Sequence, residues 1–386
     1  MNFISYCIFN NSSNSQKRVG ARINNTIIDL ALLSRLGFLE SSLEEAFNFE
    51  FLNKFIALPL EKRKQIKKQL FDLEDNTLKK VALKLEEVHL YLPIEVKGFT
   101  DFYVSKNHAI NIGSIFRPQN PLMPNWEHMP IGYNGRASSI VSTNHPVIRP
   151  RGQILVNDTP ELNYSKKLDF EVEIGVIIGK DSTLGQPIKI ENASEYIFGI
   201  CILNDWSARD IQQWEYQPLG PFNSKGFLTS ISPFIIPIEE LEAFKVPAPT
   251  QSPKPLNYLL DKELYSYDIS LDVTLKTAKY QEGITISKTN FKYAYWTINQ
   301  WIAQHTVAGC NLRIGDIIAS GTLSGETRDS CGSFMEITKN GKEPLTLPNG
   351  ETRSFLENGD ELIISGYCSD QNNTYDIGTT AGVVTQ

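Results

Sequence analysis

The order of apolar and polar positions divides the chain into stretches of different period. The first twenty-odd residues alternate like short strands around turn-rich segments, and "FNNSSNSQKRVGARINNTIIDL" reads as a pair of hairpins. From about Leu32 to Leu85 the spacing becomes helical, and the charge run "EKRKQIKKQL" predicts a solvated helix face. Around "VHLYLPIEVKGFT" Pro and Gly interrupt that pattern, which predicts a domain boundary, with residues 1–94 on one side and 95–386 on the other. Beyond it the expected elements are mostly strands: "FEVEIGVIIG", "IFGICILND", "FIIPI", "DISLDVTLKT", "GDIIASGTL" and "ELIISGYC". A Pro-rich loop, "FKVPAPTQSPKPLNY", interrupts them, and "NFKYAYWTINQWIAQHT" repeats large apolar residues at helical spacing. The expected class is mainly β (α+β), a small module followed by a larger mixed-sheet domain.

One strand carries unusual charge. In "KLDFEVEIGVIIG", alternation turns Asp169, Glu171 and Glu173 to one face, ahead of a run, Val176–Ile178, that is apolar on both faces. Carboxylates two positions apart sit roughly 7 Å from each other and repel, more strongly as water is removed. The segment alone fits either a solvated edge or a cation held between acids.

Composition narrows the setting. A chain of 386 residues has room for two domains, and 41% hydrophobic with 21% charged residues is ordinary for a globular protein. A net charge of -7 argues against a nucleic-acid binder, and no apolar run approaches the ~20 residues that span a bilayer. The start, "MNFISYCIFNNSSNSQKRVG", lacks the basic and apolar blocks of a signal peptide. Cys7, Cys201, Cys310, Cys331 and Cys368 form no CxxC pair, which fits reduced thiols in a cytoplasm better than disulfides or zinc.

Three further segments are too polar for packing alone. "DFYVSKNHAINIGSIFR" holds Asp101, Tyr103, His108 and Arg117. In "ILNDWSARDIQQWEYQPLGPFNSKGFLTS", Asp205 follows an apolar run and opens an expected helix, as a cap or as a ligand. In "GDIIASGTLSGETRDSCGSFMEI", glycines space out a Thr, a Ser and two glutamates. Asp101, Glu171, Glu173 and Asp205 are all oxygen donors, which select Mg²⁺, Ca²⁺ or Mn²⁺ over zinc or copper. His108 is the one histidine in such a segment; His89, His128, His145 and His305 read as loop or core residues, with His305 at a helix end complementing the dipole.

Spacing cannot bring these segments together, but their wording resembles a known family. "DFYVSKNHAINIGSIFRP", "LMPNWEHMPIGYNGRASSIV", "DFEVEIG", "NDWSARDIQQWEYQPLGPFNSKGF" and "GCNLRIGDIIASGTLSG" together are similar to the fumarylacetoacetate hydrolase family, from about residue 95 to the C-terminus. A weaker echo, "QKRVGARINNTIIDL", continues through the N-terminal part. NDWSARD is shared across the superfamily, whereas "QQWEYQPLGPF" and the leading module are specific to the fumarylacetoacetase branch. The resemblance implies an SH3-like N-terminal barrel, a rolled β-sheet catalytic domain and a homodimer. It implies hydrolysis of a β-diketo acid, fumarylacetoacetate, to fumarate and acetoacetate, the last step of tyrosine and phenylalanine breakdown. By the same resemblance Asp101, Glu171, Glu173 and Asp205 bind Mg²⁺ or Ca²⁺, with Lys225 and Thr229 in a second cation-binding element beside Asp205. His108 corresponds to the general base and Glu336 to the carboxylate that orients it. Arg209 and Lys225 fall where the family polarises the reacting carbonyl, and Gln212 would join them as a donor to the oxyanion. Tyr103, Arg117, Tyr133, Gln212, Tyr216 and Thr322 match substrate-contacting positions. Asp169 matches no ligand and reads as an edge charge.

The sequence departs from the family at Asn134, where His is common, at Ser224 and Gly226 in "NSKGF", and at Glu326, where Pro is expected. These touch loop shape and not the ligands or the base. Two other functions compete: another keto-acid reaction of the superfamily, such as acylpyruvate hydrolysis, and a non-catalytic binding module stabilised by a metal.

Overall fold

The computed structural model describes residues 3–386. The alternating start folds as expected. Ser5–Asn11, Asn14–Ile23 and Thr26–Asp29 are antiparallel neighbours in a five-stranded sheet completed by Ala82–Lys84 and Val88–Leu90. The intervening helical stretch breaks into short helices, of which Leu60–Phe71 is the longest. It buries only Ile66 and Leu70, so its charge run does face solvent.

The larger region is built on an eight-stranded sheet. Its main path runs Gly132–Asn134, Phe99–Phe102, Ile317–Ala319, Val172–Ile178, Ile197–Asp205, Thr229–Ile231, Ile140–Ser142, and Ile236–Pro237 pairs off it. Val172–Ile178 is buried throughout, as its two-sided apolar run requires. On one face Ile174, Val176 and Ile178 pack with Leu271, Val273 and Ile364 of a second, five-stranded sheet and with helix Ile298–Thr306. On the other, Ile177, Phe198, Cys201 and Leu203 share a core with Ile4, Tyr6, Ile8 and Phe55 of the N-terminal module. The change of period near residue 94 is therefore not a gap in packing. Among the described residues no helix is long and apolar enough to cross a membrane.

Three local expectations are corrected. "KLDFEVEIGVIIG" is two strands, because Leu168–Asp169 leaves the main ladder to pair with Ser207–Ala208. Asp205 caps no helix: it ends strand Ile197–Asp205, and the helix begins at Arg209. The helix expected over "NFKYAYWTINQWIAQHT" starts only at Ile298, where Thr297 and Gln300 form a capping box behind the buried Trp296.

Candidate active site

Strand register assembles the acids. Asp101 is the third of the four residues of Phe99–Phe102, paired with Ala319 on one side and Tyr133 on the other, and Ala319 pairs with Gly175. Glu173 lies two positions from Gly175 on the same strand and therefore on the same face. Asp205 lies two positions beyond Leu203, the cross-strand partner of Glu173. The small side chains of Ala319 and Gly175 leave room between the acids. Asp101, Glu171, Glu173 and Asp205 each bring a carboxylate oxygen to within 4.8 Å of the others, and all four residues are buried.

This charge is only half answered by protein groups. Lys225 Nζ bonds Glu171, and Asp205 Oδ2 at 2.7 Å; Arg209 Nη1 meets Glu171 Oε1 at 2.6 Å. Burial pushes the Glu171 carboxyl up, but Lys225 and Arg209 outweigh it and hold the group well below the usual carboxylate range. Burial, then Asp205, pushes Asp101 well above that range, and burial, then Asp101 and Asp205, does the same to Glu173. Asp101 Oδ1 and both Glu173 oxygens are buried without a hydrogen-bond partner among the described residues. Bare carboxylate oxygens converging from two strands fit a hard divalent cation, and the donor set of the four acids is all oxygen. Lys225 and Thr229 stand beside this cluster, the Thr229 hydroxyl 2.9 Å from Asp205 Oδ1 and Lys225 Nζ on Glu171 and Asp205.

Beside the acids stands His108. It lies on helix Lys106–Phe116, whose start is capped by Ser105, and its Nδ1 is 2.8 Å from Glu336 Oε2. Glu336 sits on the short helix Phe334–Ile337 and also accepts from Asn111 Nδ2 (2.9 Å), Ser324 Oγ (3.0 Å) and Ser333 Oγ (2.8 Å). Burial pushes its carboxyl up, yet His108 and these donors outweigh burial and hold it below the usual value. Sequence reasoning missed Asn111, Ser324 and Ser333. Asn111 had a signal, since it lies three positions after His108 and hence on the same helix face.

A cavity of about 410 Å³ joins the two groups, lined by Asp101, Tyr103, His108, Arg117, Tyr133, Glu171, Arg209, Gln212, Tyr216, Lys225 and Thr322. Nearly every residue expected to work on substrate is thus brought together. Three donors in or against the cavity are buried and unpaired among the described residues: Arg117 Nε, Arg209 Nη2 and Thr322 Oγ1. The Tyr133 hydroxyl donates to Asp205 Oδ2 at 3.3 Å, and Gln212 Oε1 accepts from Arg209 at 3.2 Å. Of the departures, Asn134 lines a neighbouring cavity, Ser224 is buried and Glu326 is exposed.

Two readings change. Asp169 is no edge charge: it is fully buried and accepts four hydrogen bonds, from Arg209 Nε (2.8 Å) and the amides of Phe170, Phe334 and Met335. Burial pushes its carboxyl up against the pull of Arg209, but all four partners are donors, so the geometry holds the carboxylate form. His305 bonds Thr100 Oγ1 at 2.8 Å, and burial lowers its pKa, so it is a neutral core residue and not a helix-end charge.

Comparison with known proteins agrees across the chain. Residues 97–385 match the family described as Fumarylacetoacetate (FAA) hydrolase C-terminal, and residues 3–93 match Fumarylacetoacetase N-terminal. The chain is 42% identical to fumarylacetoacetase of Homo sapiens over 396 aligned positions, covering 99% of this chain and 94% of that one. It is 43% identical to fumarylacetoacetase of Arabidopsis thaliana, with the same coverage. Solved structures share the fold at lower identity. A fumarylacetoacetate hydrolase from Exiguobacterium antarcticum aligns over 99% of both chains at TM-score 0.56 and 18% identity. A maleylpyruvate hydrolase from Sphingobium, in complex with manganese(II) ion and pyruvate, aligns over 99% of this chain and 100% of that one at TM-score 0.53 and 16% identity.

Proposed function

The chain belongs to the fumarylacetoacetate hydrolase family, and we propose that it cleaves fumarylacetoacetate with water to fumarate and acetoacetate, closing tyrosine and phenylalanine breakdown. Near full-length identity with the human and Arabidopsis fumarylacetoacetases supports the substrate. The single observation that carries the mechanism is the His108–Glu336 pair, set in one cavity with the cluster of bare carboxylates.

With its Nδ1 proton donated to Glu336, His108 presents Nε2 to accept a proton from water. Glu336 is fixed by its other donors, so it holds the imidazole ring in place and stabilises the imidazolium that forms. Arg209, Lys225 and Gln212 donate to the oxyanion of the tetrahedral intermediate; losing one such donor typically costs about 2.7–4 kcal/mol. Arg117 suits a terminal carboxylate through its planar fork. Tyr103, Tyr133, Tyr216 and Thr322 wall the cavity and fix the remainder of the substrate. Asp101, Glu171, Glu173 and Asp205 would hold Mg²⁺ or Ca²⁺, which when bound supplies Lewis acidity at the diketone and charge against the departing enolate.

We further infer a cytoplasmic homodimer. The four buried cysteines are free, which supports a reducing compartment. Leu219 and Phe222 stand 96% and 75% exposed beside the cavity, which supports a covering second copy. Sedimentation equilibrium at twice the chain mass checks the dimer.

Loss of fumarylacetoacetate absorbance on adding protein and Mg²⁺ tests the activity. An acylpyruvate turned over while fumarylacetoacetate survives would assign the sister reaction. Turnover of neither would leave a metal-stabilised binding module.

A further inference from the structure

We propose that Asp169 is a positioning residue that ties the two halves of the catalytic machinery together, fixing Arg209 on one side and the helix carrying Glu336 on the other. The inference rests on the hydrolytic reading above and deepens it.

The carboxylate is shared between them. Oδ2 accepts from Arg209 Nε at 2.8 Å and from the Met335 amide at 3.0 Å; Oδ1 accepts from the Phe334 amide at 2.7 Å and the Phe170 amide at 2.8 Å. A guanidinium is planar, so two fixed nitrogens set the direction of the third. Asp169 holds Nε and Glu171 holds Nη1, which leaves Nη2 buried and, among the described residues, unpaired against the cavity. Without Asp169 the group could pivot about its Glu171 contact and lose that aim.

On the other side, Phe334 and Met335 open the helix Phe334–Ile337, and their amides have no partner within it. Asp169 takes both, while Ser333 Oγ accepts from the Glu336 amide. The turn bearing Glu336, and through it the His108 ring, is thus held from the same carboxylate that aims Arg209. Asp169 is itself held by backbone pairing with Ser207, two residues before Arg209. Neutralising Arg209 alone would not require this geometry, since Glu171 already contacts it.

Asn at this position is nearly isosteric but has one acceptor oxygen and adds an N–H₂, which must face donors on one side. The test compares wild type, Asp169→Asn, Arg209→Lys and the double variant, assayed with fumarylacetoacetate at saturating Mg²⁺. Asp169→Asn is expected to lower kcat about 10- to 100-fold with KM within about threefold, the range seen when a supporting partner is removed. In the Arg209→Lys background, where no Nε remains to be held, the same change should lower kcat by a clearly smaller factor than in wild type, because only the hold on the Glu336 helix is then left to lose. Losses that multiply, a loss confined to KM, or kcat within about twofold of wild type would overturn the proposal. If Asp169→Asn does not fold, Asp169→Glu carries the test, because it keeps the charge and displaces the guanidinium. Its kcat should then fall about tenfold or more, and an unchanged kcat, or failure of both variants to fold, would overturn the positioning role. A wild-type protein that does not turn over fumarylacetoacetate would instead refute the reading on which the proposal rests.

Discussion

Two buried clusters of opposite charge show how differently the molecule treats the same residue types. Arg353 and Asp360 form a closed pair ahead of strand Glu361–Ser369, with Nε–Oδ2 at 2.9 Å and Nη2–Oδ1 at 3.0 Å. Arg353 Nη1 finds the Thr352 carbonyl, and the Glu357 amide donates to Asp360, so every partner comes from the chain itself. The cluster of Asp101, Glu171, Glu173 and Asp205 is open. Lys225 and Arg209 answer Glu171 and Asp205, while Asp101 Oδ1 and both Glu173 oxygens are left bare. A closed pair holds the fold together; a buried shortage of positive charge, which the fold alone would not keep, marks a place for a ligand.

The largest effect is expected where chemistry separates from charge balance. His108→Ala should lower kcat by roughly 10²–10⁴-fold, as for loss of a general base. Titration calorimetry should find Mg²⁺ affinity unchanged, since His108 is outside the acid cluster. Next comes the closed pair: Arg353→Met strands the Asp360 charge and should cost about 3–5 kcal/mol in urea unfolding. Its kcat per folded molecule should equal that of wild type.

Glu173→Gln should invert that pattern. Removing a buried carboxyl that no protein group answers should raise the melting temperature of the cation-free protein, while Mg²⁺ affinity falls by more than about 100-fold, beyond the range for losing a mere supporting partner. A lower melting temperature without cation would show that Glu173 has a partner in the fold after all. The smallest effect is expected at Asn111→Ala, which removes one donor from Glu336. Steady-state kinetics should show about a tenfold lower kcat, equivalent to about 1.4 kcal/mol.

Much of this contrast could be read from the sequence, and its gaps have physical causes. Glu171 and Glu173 declared themselves by a period of two, and His108 by its polar surroundings. The strands Ser270–Thr277 and Glu361–Ser369 followed from alternation, because each has one face toward a core. Asp101 and Asp205 stood out as oxygen donors in polar segments, but that they meet the glutamates in one cluster came from motif resemblance alone. Their strands meet Glu173 through non-local pairing across Ile317–Ala319 and Ile197–Asp205, which no local pattern encodes. Asp169 was misjudged for a related reason: alternation assigns a face but not a burial, and that face closes over Arg209 and Phe334 from distant segments. The helix before Ile298 failed because packing of Trp296 overrode helical spacing.

The central claim is that the open cluster works only when a cation completes it. Its most direct test is the initial rate of fumarylacetoacetate loss by protein stripped with a chelator, measured before and after Mg²⁺ is restored. The account predicts no turnover from the stripped protein and recovery on addition of the ion. A stripped protein that turns over at the full rate would contradict it.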